Sequence, residues 1–180
     1  MNSTIFMAIV GGIVGCLISL LFYKQAKEKY NVFFYILLLG YIGALIGATL
    51  LPLGNYGMKT VETMSLFINI IPFGTNADIM SHSEVIQCGM NIIMFMPLGV
   101  LVPLTTRKTM RLKHFIALCF ILSLSIEVTQ LVCTFLGIMW RSFDVNDIIF
   151  NTLGGSFTYA FIYMITKCLI IEKRQAHSLS

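Results

Sequence analysis

Residues 114–136 read HFIALCFILSLSIEVTQLVCTFL. The stretch holds a single charged residue, Glu127, and is long enough to cross a bilayer, which takes about 20 mostly apolar residues. The rest of the chain agrees with a membrane setting. Apolar residues make up 57% of its 180 positions and charged residues 11%, against roughly 25% charged in a soluble domain. So few charges cannot cover a soluble surface of this size, and lipid must be the solvent around most of the chain.

Four further runs have spanning length or nearly so: Ile5–Tyr23, Val32–Leu51, Val85–Leu104 and Asn146–Ile171. Pro52-Leu53-Gly54-Asn55 stops the second, and Asn91, Pro97 and Gly99 interrupt the third, where proline removes a helical hydrogen bond. The predicted fold is therefore an all-α, polytopic bundle of five spanning helices in one domain, residues 1–180. Ile13-Val14-Gly15-Cys16 resembles a lipoprotein processing box, but no Lys or Arg precedes Lys24, so a retained first helix is expected rather than a cleaved signal. The loop between spans two and three, about Leu53 to Glu84, contains Met64–Phe73. That segment is too short to span and too apolar to float free, so an interfacial or re-entrant segment is expected there, stopped by Pro72 and Gly74.

Basic residues orient the bundle. Lys24, Lys27, Lys29, Arg107, Lys108, Arg111, Lys113, Lys167, Lys173 and Arg174 fall on one face by alternate-loop counting, while only Lys59 and Arg141 fall on the other. This predicts an N-terminus outside and a C-terminus inside. Glu62, Asp78, Glu84, Asp144 and Asp147 collect on the outer side, a skew that insertion does not require. No basic run is interleaved with aromatics, so nucleic acid is not an expected partner. The five cysteines form no metal-binding spacing, and His82 with Glu84 is too small a set for a metal. A Cys88–Cys133 disulfide is geometrically open, since both fall on one side of the membrane. No sequence motif names a cofactor or a nucleophile.

Glu127 is the most informative position. A carboxylate at its depth costs roughly 2.5–3.5 kcal/mol on insertion scales, so it faces the bundle interior and has a partner. Ser123, Glu127, Gln130 and Thr134 share one helical stripe. That stripe reads either as inter-helix glue or as part of a site. Asp144 can cap span five, and Asp147 lies where the helix N-terminus favours a carboxylate. Asp147 and Asn151 share a face that continues to Gly154 and Gly155, small enough for close helix approach. Arg141 reads as a solvated residue, as a partner for Glu127 or Asp147, or as a phosphate ligand. Asn91 sits at the depth of Gln130 and Asn151, which suggests one shared polar pocket among spans three, four and five. The glycine faces of spans one and two offer a homodimer surface.

Four motifs in order resemble the VanZ-like family: NIIPF at 69–73, NIIMFMPLG at 91–99, SIEVTQ at 125–130 and RSFDVNDIIFNTLGG at 141–155. They are similar to that family's N-L-x-P-F box, N-x-x-x-F-x-P-x-G helix, E-x-x-Q pair and D-x-x-D-x-x-x-N-x-x-G-G helix, over about residues 65–160. Spans one and two match only as hydrophobic helices. The resemblance implies a multi-pass bacterial cell-membrane protein linked to resistance against teicoplanin-class glycopeptides. Carried over residue by residue, it adds Asn69 to Asn91, Glu127, Gln130, Arg141, Asp144, Asp147 and Asn151 as pocket residues. Three functions follow as expectations. The first is a resistance factor whose outward-open pocket meets a lipoglycopeptide. The second is an enzyme on a lipid-linked or cell-wall precursor with Glu127 and Asp147 as acid and base. The third is a transporter or scaffold.

Overall fold

The computed structural model describes residues 29–51, 53–73, 82–106 and 110–178. Four long helices dominate it: α1 (Lys29–Leu50), α3 (His82–Thr106), α4 (Leu112–Phe135) and α5 (Val145–Ser178). Each contains a run long and apolar enough to cross a membrane: Val32–Leu50, Ser83–Thr106, Leu112–Phe135 and Val145–Cys168. These are the second to fifth spans expected from the sequence, and the chain is a membrane protein. The first, Ile5–Tyr23, lies outside the described residues. Pro97 and Pro103 both lie within α3, and the helix continues through them.

Glycine decides which helices touch. A Cβ on Gly154 of α5 would run into the backbone of Ile92 in α3, and one on Gly155 would meet Cys119 Sγ of α4 at 2.6 Å. A Cβ on Gly99 of α3 would likewise stand only 2.6 Å from the Tyr159 nitrogen of α5. Small residues at these positions let α5 wedge between α3 and α4, as packing in lipid demands. Around the wedge sits a small core of Leu45, Phe95, Leu98, Phe115, Cys119 and Tyr159. Phe115 and Tyr159 stack at 4.2 Å, and the Tyr159 hydroxyl donates to the Met110 carbonyl at 2.7 Å. Helix α1 leans on the outside of α3, fixed by the Tyr41 hydroxyl on the Met94 carbonyl and by Thr105 Oγ1 on the Phe34 carbonyl. The outward faces of all four helices are apolar and exposed, including Phe33, Ile93, Ile121 and Phe157. Lipid is their natural solvent.

At the end of the bundle where α4 stops and α5 starts, two loops are stitched together. The chain after α1 runs along the end of α4, with the Gly54, Tyr56 and Lys59 nitrogens donating to the Ile138, Gly137 and Phe135 carbonyls. The apolar segment expected at 64–73 is a composite. A single turn of helix α2 (Val61–Met64), capped by Thr60, leads into a 3₁₀ turn at Ser65–Phe67 and then into β1 (Ile68–Asn69). β1 pairs in parallel with β2 (Phe143–Asp144), Ile68 opposite Phe143 and Asn69 opposite Asp144. Trp140 pins the arrangement, with Phe67 edge-on at 5.0 Å and the Lys59 ammonium 4.3 Å over its ring. Residues 65–73 thus form a strap across the mouth of α4 and α5.

Replacing Gly154 with Ala is expected to destabilise the detergent-solubilised protein by about 1–3 kcal/mol, the usual cost of overpacking. Gly89→Ala, whose Cβ would meet nothing within 4 Å, is the matched control and is expected to be neutral or mildly stabilising. Thermal melts of the two variants read the difference.

Candidate functional site

The polar stripe of α4 points inward. Ser123, Glu127, Gln130 and Thr134 are all buried, and each has a separate task. Thr134 Oγ1 holds the returning chain, donating to the Arg141 carbonyl at 2.8 Å and accepting the Arg141 N–H at 3.1 Å. Gln130 reaches the other way, its Nε2 donating to the Thr49 carbonyl of α1 at 2.8 Å. Ser123 Oγ accepts from Asn151 Nδ2 of α5 at 2.9 Å. Glu127, 2% exposed, lies beneath β2, and its Oε2 accepts the Asp144 N–H at 3.0 Å.

Asp144 is the hub above it. Its Oδ1 accepts the Asn146 N–H at 2.8 Å, the bond an N-cap makes to the first turn of a helix. Its Oδ2 takes Asn69 Nδ2 from the strap at 3.2 Å. The strap is held a second time where the Phe73 N–H donates to Asn146 Oδ1 at 3.0 Å. Phe73 adopts φ 63°, a left-handed backbone unusual for a bulky residue, and its ring stands edge-on to Phe150.

One turn into α5, Asp147 faces α3. Gln87 Nε2 donates to both its carboxylate oxygens at 3.1 and 3.2 Å, and Asn91 Nδ2 donates to Oδ1. Between the strap, the first turns of α3 and the first turn of α5 lies a small open cleft with a cavity volume of about 40 Å³. The strap contributes Asn69 and Phe73 to its wall, and α3 contributes Glu84, Gln87 and Cys88. Asp144, Asn146 and Asp147 complete it. Glu127, Asp144 and Asp147 are close enough to repel one another, so three carboxylates concentrate negative charge in and beneath this end of the bundle. Among the described residues no cluster has the makings of a metal site.

The eight residues singled out from the sequence therefore divide. Asn69, Asp144 and Asp147 line the cleft. Asn91 stands just behind Asp147 and Glu127 just behind Asp144. Asn91, Gln130 and Asn151 do not share a pocket, because their amides point into three different helix interfaces. Arg141 is exposed and is held by its backbone; among the described residues no salt bridge joins its guanidinium to Glu127 or Asp147. Its charge acts on both only at longer range. Cys88 and Cys133 are both free thiols, so the disulfide left open by the sequence is not formed. Sequence reasoning missed Gln87 and Asn146. Gln87 lies one helical turn before Asn91 on the same face, a spacing that marks it, whereas Asn146 is hidden among the capping residues.

Glu127 works here as an acceptor. Glu127→Gln retains an oxygen for the Asp144 N–H and is expected to melt close to the parent. Glu127→Leu leaves that N–H without a partner and is expected to cost about 1–3 kcal/mol, the penalty of an unmade buried hydrogen bond. Thermal melts in detergent, with limited proteolysis of residues 60–73 as the local readout, separate the two variants.

Neither a curated protein nor a solved structure matches the chain. A family model does: that of VanZ/LLP1 matches residues 32–167. The match extends beyond the motif-bearing stretch at both ends and takes in α1. The residues at the cleft and those that hold it in place fall within this range, and the chain belongs to the VanZ/LLP1 family.

Proposed function

We propose that this protein sits in the bacterial cell membrane with the cleft facing outward, and that it lowers the effect of teicoplanin-class glycopeptides by engaging an amphiphile at that cleft. The observation that carries the reading is the cleft itself: a solvent-open polar cavity at one end of otherwise apolar helices, lined by Asn69, Asp144 and Asp147. Buried polar groups in lipid are costly unless they serve packing or function. Here Gln130, Asn151 and Thr134 serve packing, while the cleft carboxylates open to solvent.

The basic residues support the orientation. Arg107, Lys108, Arg111, Lys113, Lys167, Lys173 and Arg174, seven of the twelve, lie between α3 and α4, at the start of α4 or in the C-terminal part of α5, and the cleft lies at the opposite helix ends. Exposed Met58, Val61, Leu66 and Ile70 around the strap, with Trp140 and Tyr56, suit the headgroup boundary of the outer leaflet. The strap is then the interfacial segment.

Glu127 suits an acid–base role poorly, because it is buried and its oxygen holds the Asp144 N–H. Expression in a susceptible bacterium tests the proposal. The parent chain is expected to raise the teicoplanin concentration needed to stop growth, and Asp144→Ala or Asp147→Asn, at equal membrane abundance, is expected to remove most of that increase. Full resistance in both variants would exclude the cleft as the agent.

A further inference from the structure

Glu84, Asp144 and Asp147 line the cleft, and none of the described lining residues is basic. Acidic residues alone do not define a ligand, but Asn146 adds an independent feature. Asn146 is 9% exposed and lines the same cleft. Its Oδ1 is occupied by the Phe73 N–H. Its Nδ2 has no acceptor among the described residues, and so is a donor left over inside the cavity. Asp147 still has acceptor capacity beyond its bonds to Gln87 and Asn91, since a carboxylate offers about four lone-pair sites. Phe73, in the cleft wall, and Ile71, two residues before it on the strap, are exposed and apolar.

We infer that the cleft binds an alkylammonium group that has a carbonyl or hydroxyl oxygen within two or three bonds and is carried on an apolar chain. The ammonium, with three donors and no acceptor, sits against Asp147 and Asp144. The neighbouring oxygen accepts from Asn146 Nδ2, and the chain leaves over Phe73 and Ile71 toward the lipid. An α-aminoacyl or ethanolamine headgroup has this chemistry. A neutral amide in the same place would offer the carboxylates a weaker, uncharged N–H donor, and an anion would offer none, so both are disfavoured against the ammonium. The inference rests on the cleft being the functional site and adds what that site recognises.

Glycine octylamide, octylamine and N-acetylglycine octylamide are suitable probes, titrated into the full-length protein in nonionic detergent with thermal stabilisation as the readout. Glycine octylamide is expected to bind, octylamine about tenfold more weakly for want of the Asn146 hydrogen bond, and the acetylated compound more weakly than either amine, since it offers the carboxylates only uncharged N–H donors. Asp147→Asn, which keeps an oxygen for Gln87, is expected to weaken both amines about tenfold. Asn146→Asp keeps the acceptor for Phe73 but removes the donor, and is expected to bring the two amines to equal affinity. Equal binding of the free and acetylated compounds, or both variants behaving as the parent, would overturn the inference. Competition identifies the natural source. Displacement of glycine octylamide by phosphatidylethanolamine but not phosphatidylcholine nanodiscs indicates a membrane lipid. Displacement by teicoplanin but not by its N-acetylated form indicates the antibiotic. Displacement by neither overturns the assignment. If Asp147→Asn abolishes resistance in cells while the amine preference fails, the cleft is the site and the ligand class is wrong. If the preference holds and resistance is unaffected, the cleft binds amines for another purpose.

Discussion

A carboxylate that is 2% exposed in a membrane bundle needs a hydrogen-bond donor, and the Asp144 N–H supplies one to Glu127 at 3.0 Å. Much of the cleft follows from that bond. It fixes the backbone at the start of α5, so that Asp144 can cap the helix through Asn146 and still accept from Asn69. It brings β2 to the height at which β1 can pair with it. The strap, the cap and the carboxylate wall are thereby positioned by a residue that does not line the cavity.

A second constraint comes from below. Gly154, Gly155 and Gly99 allow α5 to approach α3 and α4 at backbone distance, and only then can Asp147 reach Gln87 and Asn91 while Asn151 reaches Ser123. Two residues four apart on one helix serve two different interfaces because α5 lies in the groove between its neighbours. Polar pairs of this kind are modest in strength in membranes, commonly about 0.6 kcal/mol each, so their value lies more in fixing register than in adding stability.

Much of this was legible in the sequence. The second to fifth spans, the inward stripe of α4, the cap at Asp144 and the close approach at Gly154 all follow from periodicity and residue chemistry. What was not legible depended on contacts between distant segments. Nothing local to Met64–Phe73 announces that two of its residues pair as a strand with Phe143 and Asp144, because the partner lies some 75 positions on. Depth alone placed Asn91, Gln130 and Asn151 together, but helix rotation decides direction, and the three amides diverge. The sequence left Arg141 open as a solvated residue, a partner for the buried acids or a phosphate ligand; its backbone is the part that Thr134 holds, and its side chain is exposed.

On the proposed function, the ligand meets the solvent-open cleft, and Glu127 stays buried beneath Asp144. Cysteines at Ile68 and Phe143, opposite one another in the parallel pair and within the usual Cα range of a disulfide, would lock the strap shut in a chain whose native cysteines are replaced. Teicoplanin resistance with the lock closed and then reduced is the most direct measurement. Resistance unchanged by locking is the expected result. Resistance lost on locking and restored by reduction would mean that the strap must lift, and that Glu127 meets the ligand after all.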